Sequence, residues 1–270
     1  MTTYYMDGTT PRQLKSVAVF DGNYRQLKEI WEWTGTEYVL IFEAQVLPVP
    51  VYLGASGAQV TGANLTINYP VASAPGDFLV CMVTFLNNTA TPFTVTPPAD
   101  WNILVNQTYP GNTASKTVLM WRFRGGETSL VITASTAASV MTGAGDIIAY
   151  QGNTVNPGVP VAVWAAQSEQ PIANPTNIPI VNTPALNCAL SMFVQTMTAS
   201  VNAYGSTWSG GSVVERTDDS IVFSTFARFQ HSSATDERAE SGITPAYLAT
   251  ATAPTGLAYH EYSGIVAIQP

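Results

Sequence analysis

The chain has 270 residues, enough for one large all-β domain or two ordinary ones around a substantial core. Charged residues make up only 10% of it, against about 25% in an average globular domain, so its surface must rely on Thr, Ser, Asn and Gln; that suits β-sandwiches and packed subunit faces better than a freely diffusing helical enzyme. The net charge of −8 comes from a shortage of Lys and Arg and argues against nucleic acid as a partner.

The first twenty residues, MTTYYMDGTTPRQLKSVAVF, have neither the basic start nor the apolar run of a secretory signal, and no stretch approaches the length of a membrane span. The expectation is assembly in a cytoplasm without membrane insertion. Residues 17–42 read as a hairpin array, with Asp21-Gly22 and Thr34-Gly35 set between runs that alternate apolar and polar. A module of residues 1–43 has few core positions and is marginally stable alone. Phe20, Trp31, Trp33 and Tyr38 are therefore its expected docking residues, burying area against a neighbouring protein. Residues 44–51, AQVLPVPV, carry two prolines and read as a short, stiff linker.

The main body, 52–270, shows no helical period. In 64–69, Leu65, Ile67 and Tyr69 share a face, while 77–86, DFLVCMVTFL, is almost continuously apolar, as a central strand with little solvent on either side must be. Strands are also expected at 115–124, 128–135 and 146–151. Residues 153–184 contain six prolines and read as an extended connection, with an edge strand near 161–165. Further strands are expected at 185–198, 221–229, 247–252 and 263–269. Short strands without helices, punctuated by Gly and Pro, mean a sandwich or barrel.

Two halves of this body, about 52–152 and 176–270, share landmarks. An offset of 107 carries Cys81 onto Cys188 and Trp101 onto Trp208; 106 carries Arg122-Phe123 onto Arg228-Phe229; 118 carries Ile147 onto Ile265. Fixed-offset similarity signals a reused structural unit. The growing offset places an insertion in the second half, expected as a loop at 232–246, SSATDERAESGITPA. The expected fold is thus all-β: a large antiparallel, jelly-roll-like sandwich of two similar halves behind a small hairpin module.

Motifs that carry chemistry are sparse. His231 and His260 lack metal-site spacing, and there is no nucleophile elbow, P-loop or dinucleotide fingerprint; Gly143-Ala144-Gly145-Asp146 lacks the third glycine and the helix. Asp218-Asp219 and the group Asp236, Glu237, Arg238, Glu240 are the candidate acid pairs for glycan hydrolysis, but strand neighbours point to opposite faces and the second group falls in the expected loop. No catalytic, cofactor or metal residue is assigned. Asp236, Glu237, Arg238 and Glu240 are carried forward as a possible surface recognition loop. Both cysteines read as small buried hydrophobes, and Trp101 and Trp208 as core plugs.

Ala74-Pro75-Gly76-Asp77 opening an apolar strand, then Pro98-Ala99-Asp100-Trp101, WRFRGGETSLVITAS and DIIAYQG, together resemble β-sandwich domains of minor tail and fibre-like proteins of tailed bacteriophages. The stretch VFDGNYRQLKEIWEWTGTEYVLIFE is similar to small hairpin repeats of phage tail and baseplate proteins. The resemblance implies a non-enzymatic virion component, a minor tail or fibre-like protein docked by its N-terminal module with the sandwich facing the host. It implies other virion proteins as partners; point-group symmetry adds the expectation of a homo-oligomer, a trimer, and a host surface glycan is a further expected partner. A capsid decoration or head fibre, and a carbohydrate-binding adhesin, are the alternatives.

Overall fold

The computed structural model describes residues 3–7, 10–14, 19–20, 24–25, 29–33, 38–43, 48–87, 93–109, 115–135, 141–169, 176–183, 187–198, 205–224, 227–238, 242–251 and 258–270, with side chains described only after residue 47. The chain forms two compact units, Met1–Leu47 and Pro48–Pro270.

Among its described residues the first unit has three antiparallel strand pairs: β1 (Thr3–Asp7) with β2 (Thr10–Leu14), β3 (Val19–Phe20) with β4 (Tyr24–Arg25), and β5 (Glu29–Trp33) with β6 (Tyr38–Glu43). Phe20 sits opposite Tyr24 and Trp33 opposite Tyr38; the turns expected at Asp21-Gly22 and Thr34-Gly35 lie outside the described residues. Trp31 lies opposite Leu40. The side chains of Phe20, Trp31, Trp33 and Tyr38 lie outside the described residues.

The second unit starts with the first sandwich, whose strands are β7 (Tyr52–Thr61), β8 (Asn64–Asn68), β9 (Phe78–Asn87), β10 (Thr94–Thr96), β11 (Asn102–Tyr109), β12 (Ser115–Phe123), β13 (Ser129–Ser135) and β14 (Met141–Tyr150). They form a five-stranded sheet, β11-β12-β9-β14-β7, and a three-stranded one, β10-β13-β8. After a 3-10 turn at Gly152–Thr154 come β15 (Val161–Glu169), β16 (Thr176–Asn177), β17 (Asn182–Thr183), β18 (Cys188–Thr198), β19 (Ser206–Ser209), β20 (Val214–Ser224), β21 (Ala227–Arg238), β22 (Gly242–Ile243), β23 (Leu248–Ala251) and β24 (Ala258–Ile268). These build a second sandwich with sheets β15-β24-β18-β21-β20 and β16-β23-β19, and a small ribbon of β17 with β22.

The two sheet orders are the same path traced twice. In each half the first and third strands flank the last, and the hairpin of the fifth and sixth strands completes the large sheet. The second, seventh and fourth form the small sheet, once β17 and β22 are set aside. This is a jelly-roll order with the fifth strand joined to the large sheet. The two large sheets stack on each other, β9 over β18, β12 over β24, β14 over β21 and β7 over β20.

Three hydrophobic clusters follow from this layering. One fills the first sandwich around Leu65, Ile67, Cys81, Phe85 and Trp101. Another fills the second around Cys188, Leu190, Met192, Ala234 and Ile265. The third, with Phe78, Met82, Leu119, Phe193, Phe229 and Tyr262, is the seam between the large sheets. β9 accordingly has two dry faces: Leu79, Cys81, Val83 and Phe85 enter the sandwich core, while Phe78, Val80, Met82 and Leu86 enter the seam. A strand covered on both sides reads as a continuous apolar run. β8 has one dry face and alternates instead, with Leu65 and Ile67 buried between exposed neighbours.

Several sequence expectations change. The compact unit begins at Pro48, with Val49 packed on the seam and Val51 N–H donating to Thr154 Oγ1 (2.9 Å), so the end of the proline-rich segment is docked. The second sandwich begins with β15, earlier than residue 176. The alternating run 221–229 is not one strand: Ser224 lies opposite Ala227, so the chain reverses there and divides the run between β20 and β21. The insertion expected as a loop is largely strand, since 232–238 continues β21. The extra residues lengthen the β20-β21 hairpin relative to β11-β12.

That lengthening also undoes one proposed equivalence. Arg122 pairs opposite Leu79 at the beginning of β9, whereas Arg228 pairs opposite Thr198 at the end of β18. The two arginines sit at opposite ends of corresponding strands. Phe193, fully buried in the seam, has no solvent-side alternative, and Phe193→Ala is expected to cost about 3–5 kcal/mol. Urea unfolding of the full chain measures this.

Candidate functional site

Where β14 crosses β21, the seam changes from apolar to polar. Thr142, Ala144, Asp146 and Ile148 alternate with residues that face the first sandwich core, which puts the Asp146 carboxylate between the large sheets. On β21, Phe229, His231 and Ser233 face the same gap. His231 Nδ1 lies 2.9 Å from Asp146 Oδ1, and Thr217 Oγ1 of β20 donates to the same oxygen at 2.7 Å. Thr217 also shares a 2.6 Å hydrogen bond with Ser233. Nearby, Gln195 Nε2 donates to the Met82 carbonyl (3.4 Å) and Gln59 Nε2 to Asp219 Oδ2 (3.1 Å).

The cluster is sealed, with both Asp146 and His231 at 0% exposure. Gly57 on β7 makes room for it, because a Cβ there would lie 2.8 Å from both Asp146 Oδ1 and His231 Cε1. Burial works against a charged imidazole, but Asp146, through its charge and its hydrogen bond, with Asp219 and Asp218 behind it, outweighs burial and holds His231 above its ordinary pKa of 6.5. Asp146 Oδ2, His231 Nε2 and Gln195 Oε1 have no partner among the described residues.

Sequence reasoning missed this pairing because its members are 85 positions apart. One signal was available: a carboxylate set within an otherwise apolar strand, at the Asp146 of GAGDIIAY, must find a buried partner. His231 thus does meet an acid, with both side chains buried from solvent.

The acidic group expected at a recognition loop has another fate. Asp236 is buried on the inner face of β21, where it accepts from Tyr247 Oη (2.5 Å) and from the Ser212 N–H (3.3 Å). It is a packing carboxylate, because a strand of this phase sends residue 236 inward with Ala234. Glu237 is exposed, Arg238 is half-buried and donates to the Ile243 carbonyl (3.3 Å), and Glu240 lies outside the described residues. Asp218 and Asp219 diverge as strand neighbours: Asp218 accepts from Gln230 (2.7 Å) and the Ser206 N–H (3.1 Å), while Asp219 turns to Gln59.

The motifs behind the family resemblance are turns and clamps. In Ala74–Asp77, Gly76 takes φ 94°, and Asp77 accepts from the N–H groups of Ala74 (2.7 Å) and Gly152 (3.0 Å). Arg122 pairs with Asp100 and Glu127 and lies 5.8 Å from the Trp101 ring centre. Trp101 is buried in the first core; Trp208 is half-buried against the second and donates to Ser232 Oγ (2.8 Å).

At the edge of the seam away from the His–Asp pair, an open groove of about 460 Å³ runs between β11, β12 and β15, lined by Leu104, Trp121, Val159, Pro160, Val163 and Trp164. Trp164 is 41% exposed. Among the described residues no group of three or more His, Cys, Asp or Glu is placed to hold a metal, and no helix is long and apolar enough to cross a membrane.

No family model, curated protein or solved structure matches the chain.

Neither Cys81 nor Cys188 is in a disulfide; both are fully buried, each in the core of its own sandwich, and burial pushes the Cys81 thiol well above its ordinary range. A thiol-specific reagent is expected to label neither in the native protein and both in denaturant, without prior reduction. Labelling of one or both under native conditions would contradict this burial.

Proposed function

We propose that the protein is a structural component of a bacteriophage particle, a minor tail or fibre-like protein whose hairpin unit docks it on the virion while the double sandwich projects toward the host. The observation that supports this reading is the seam: two sandwiches of the same topology share one buried interface within a single compact unit. Such a body suits a spacer or projecting element. The low charge content fits a protein packed among other subunits. Homo-oligomerisation, as a trimer, multiplies weak contacts to neighbours and host.

A carbohydrate-binding adhesin is the second reading, favoured by the groove in which Trp121 and Trp164 offer aromatic faces for stacking on sugar rings. Loss of binding to host glycans on Trp164→Ala, with unchanged unfolding, is its expected mark.

Deletion of residues 1–43 is expected to leave a folded double sandwich that no longer enters particles. Complementation of a phage lacking the gene, with immunoblotting of purified virions, measures incorporation. Wild-type levels of the truncated chain would remove the docking role, and a protein absent from wild-type virions would remove the structural reading altogether.

A further inference from the structure

Asp146 is a fully buried carboxylate, and among the described residues its one ion-pair partner is His231. A buried carboxylate is costly unless paired, and the imidazole 2.9 Å away is placed to supply the compensating charge. The pair also joins two bodies, because Asp146 belongs to the first sandwich and His231 to the second. We propose that His231 and Asp146 form a pH-dependent clasp across the seam, closed while the imidazole carries its proton and released when that proton is lost.

The surroundings determine the direction. From β14 the ring meets Asp146; Asp219 pairs opposite it on β20, while Asp218, bonded to Gln230 and the Ser206 N–H, acts on it only through its charge; from β18 comes Gln195, and from β7, Gly57 and Gln59. The nearest cation of β20, Arg216, is held over the Tyr52 ring (3.8 Å to its centre) and donates to Thr235 Oγ1 (2.8 Å). Three carboxylates therefore act on one imidazole with no competing cation bonded to Asp146. A histidine stabilised in its charged form contributes fully below its unfolded-state pKa and loses that contribution as pH rises through the folded-state value. The clasp is thus strongest in mildly acidic solution and opens toward alkaline pH. It adds a pH-dependent tie at one edge of a seam whose apolar contacts persist at every pH.

The test uses the full chain with 15N-labelled histidine. Ring resonances of His231, assigned by their absence in His231→Gln, are expected to titrate with a midpoint above 6.5, the ordinary value. Thermal unfolding is read at pH 6 and pH 9.5. The wild type is expected to lose more melting temperature between the two than Asp146→Asn, in which no buried charge awaits compensation. A midpoint at or below 6.5, or equal pH dependence in wild type and Asp146→Asn, would overturn the clasp. If Asp146→Asn fails to fold, the wild-type ring titration decides alone.

Discussion

The architecture depends on burying the outer face of each five-stranded sheet against the other. A single sandwich of five and three strands leaves one face of its large sheet in water, and that face must then be polar. Here it is not: Phe78, Met82 and Leu119 on one side meet Phe193, Phe229 and Tyr262 on the other. At about 25 cal/mol for each Å² of apolar surface removed from water, such a face is tolerable only when covered. Close approach needs small residues, as at Gly264, where a Cβ would lie 3.2 Å from Met82 Sδ.

The seam also explains why the halves are alike in path yet unlike in detail. Each large sheet must offer an apolar outer face, so β9 and β18 hold the same central place. The seam edges differ. One is tied by the Asp146–His231 pair, the Gln59–Asp219 bond and Arg216 over Tyr52; the other opens as the groove beside Trp121 and Trp164.

Much of this was legible in the residues. The double-sided burial of β9 follows from its unbroken apolar run, and the single-sided burial of β8 from its alternation. The repeat of one path was foreshadowed by Cys81 and Cys188, which occupy corresponding cores. Strands such as β7, with its Gly-Ala-Ser-Gly-Ala run, carry too little side chain to announce themselves, and they form because their neighbours supply the packing. Alternation misled at 221–229, where period two continues through a reversal of the chain. The Arg122 and Arg228 match misled because a fixed sequence offset ignores the greater length of the β20-β21 hairpin. The His–Asp pair was hidden by chain separation, since neither residue has a local partner.

The central claim is that the seam makes one cooperative body of two sandwiches, and native-state hydrogen exchange tests it most directly. The amides of β9 and β18, central strands of the two large sheets, should open with the same free energy and respond together to added denaturant. If one strand exchanges through a lower-energy opening while the other stays protected, the sandwiches are independent and the account fails.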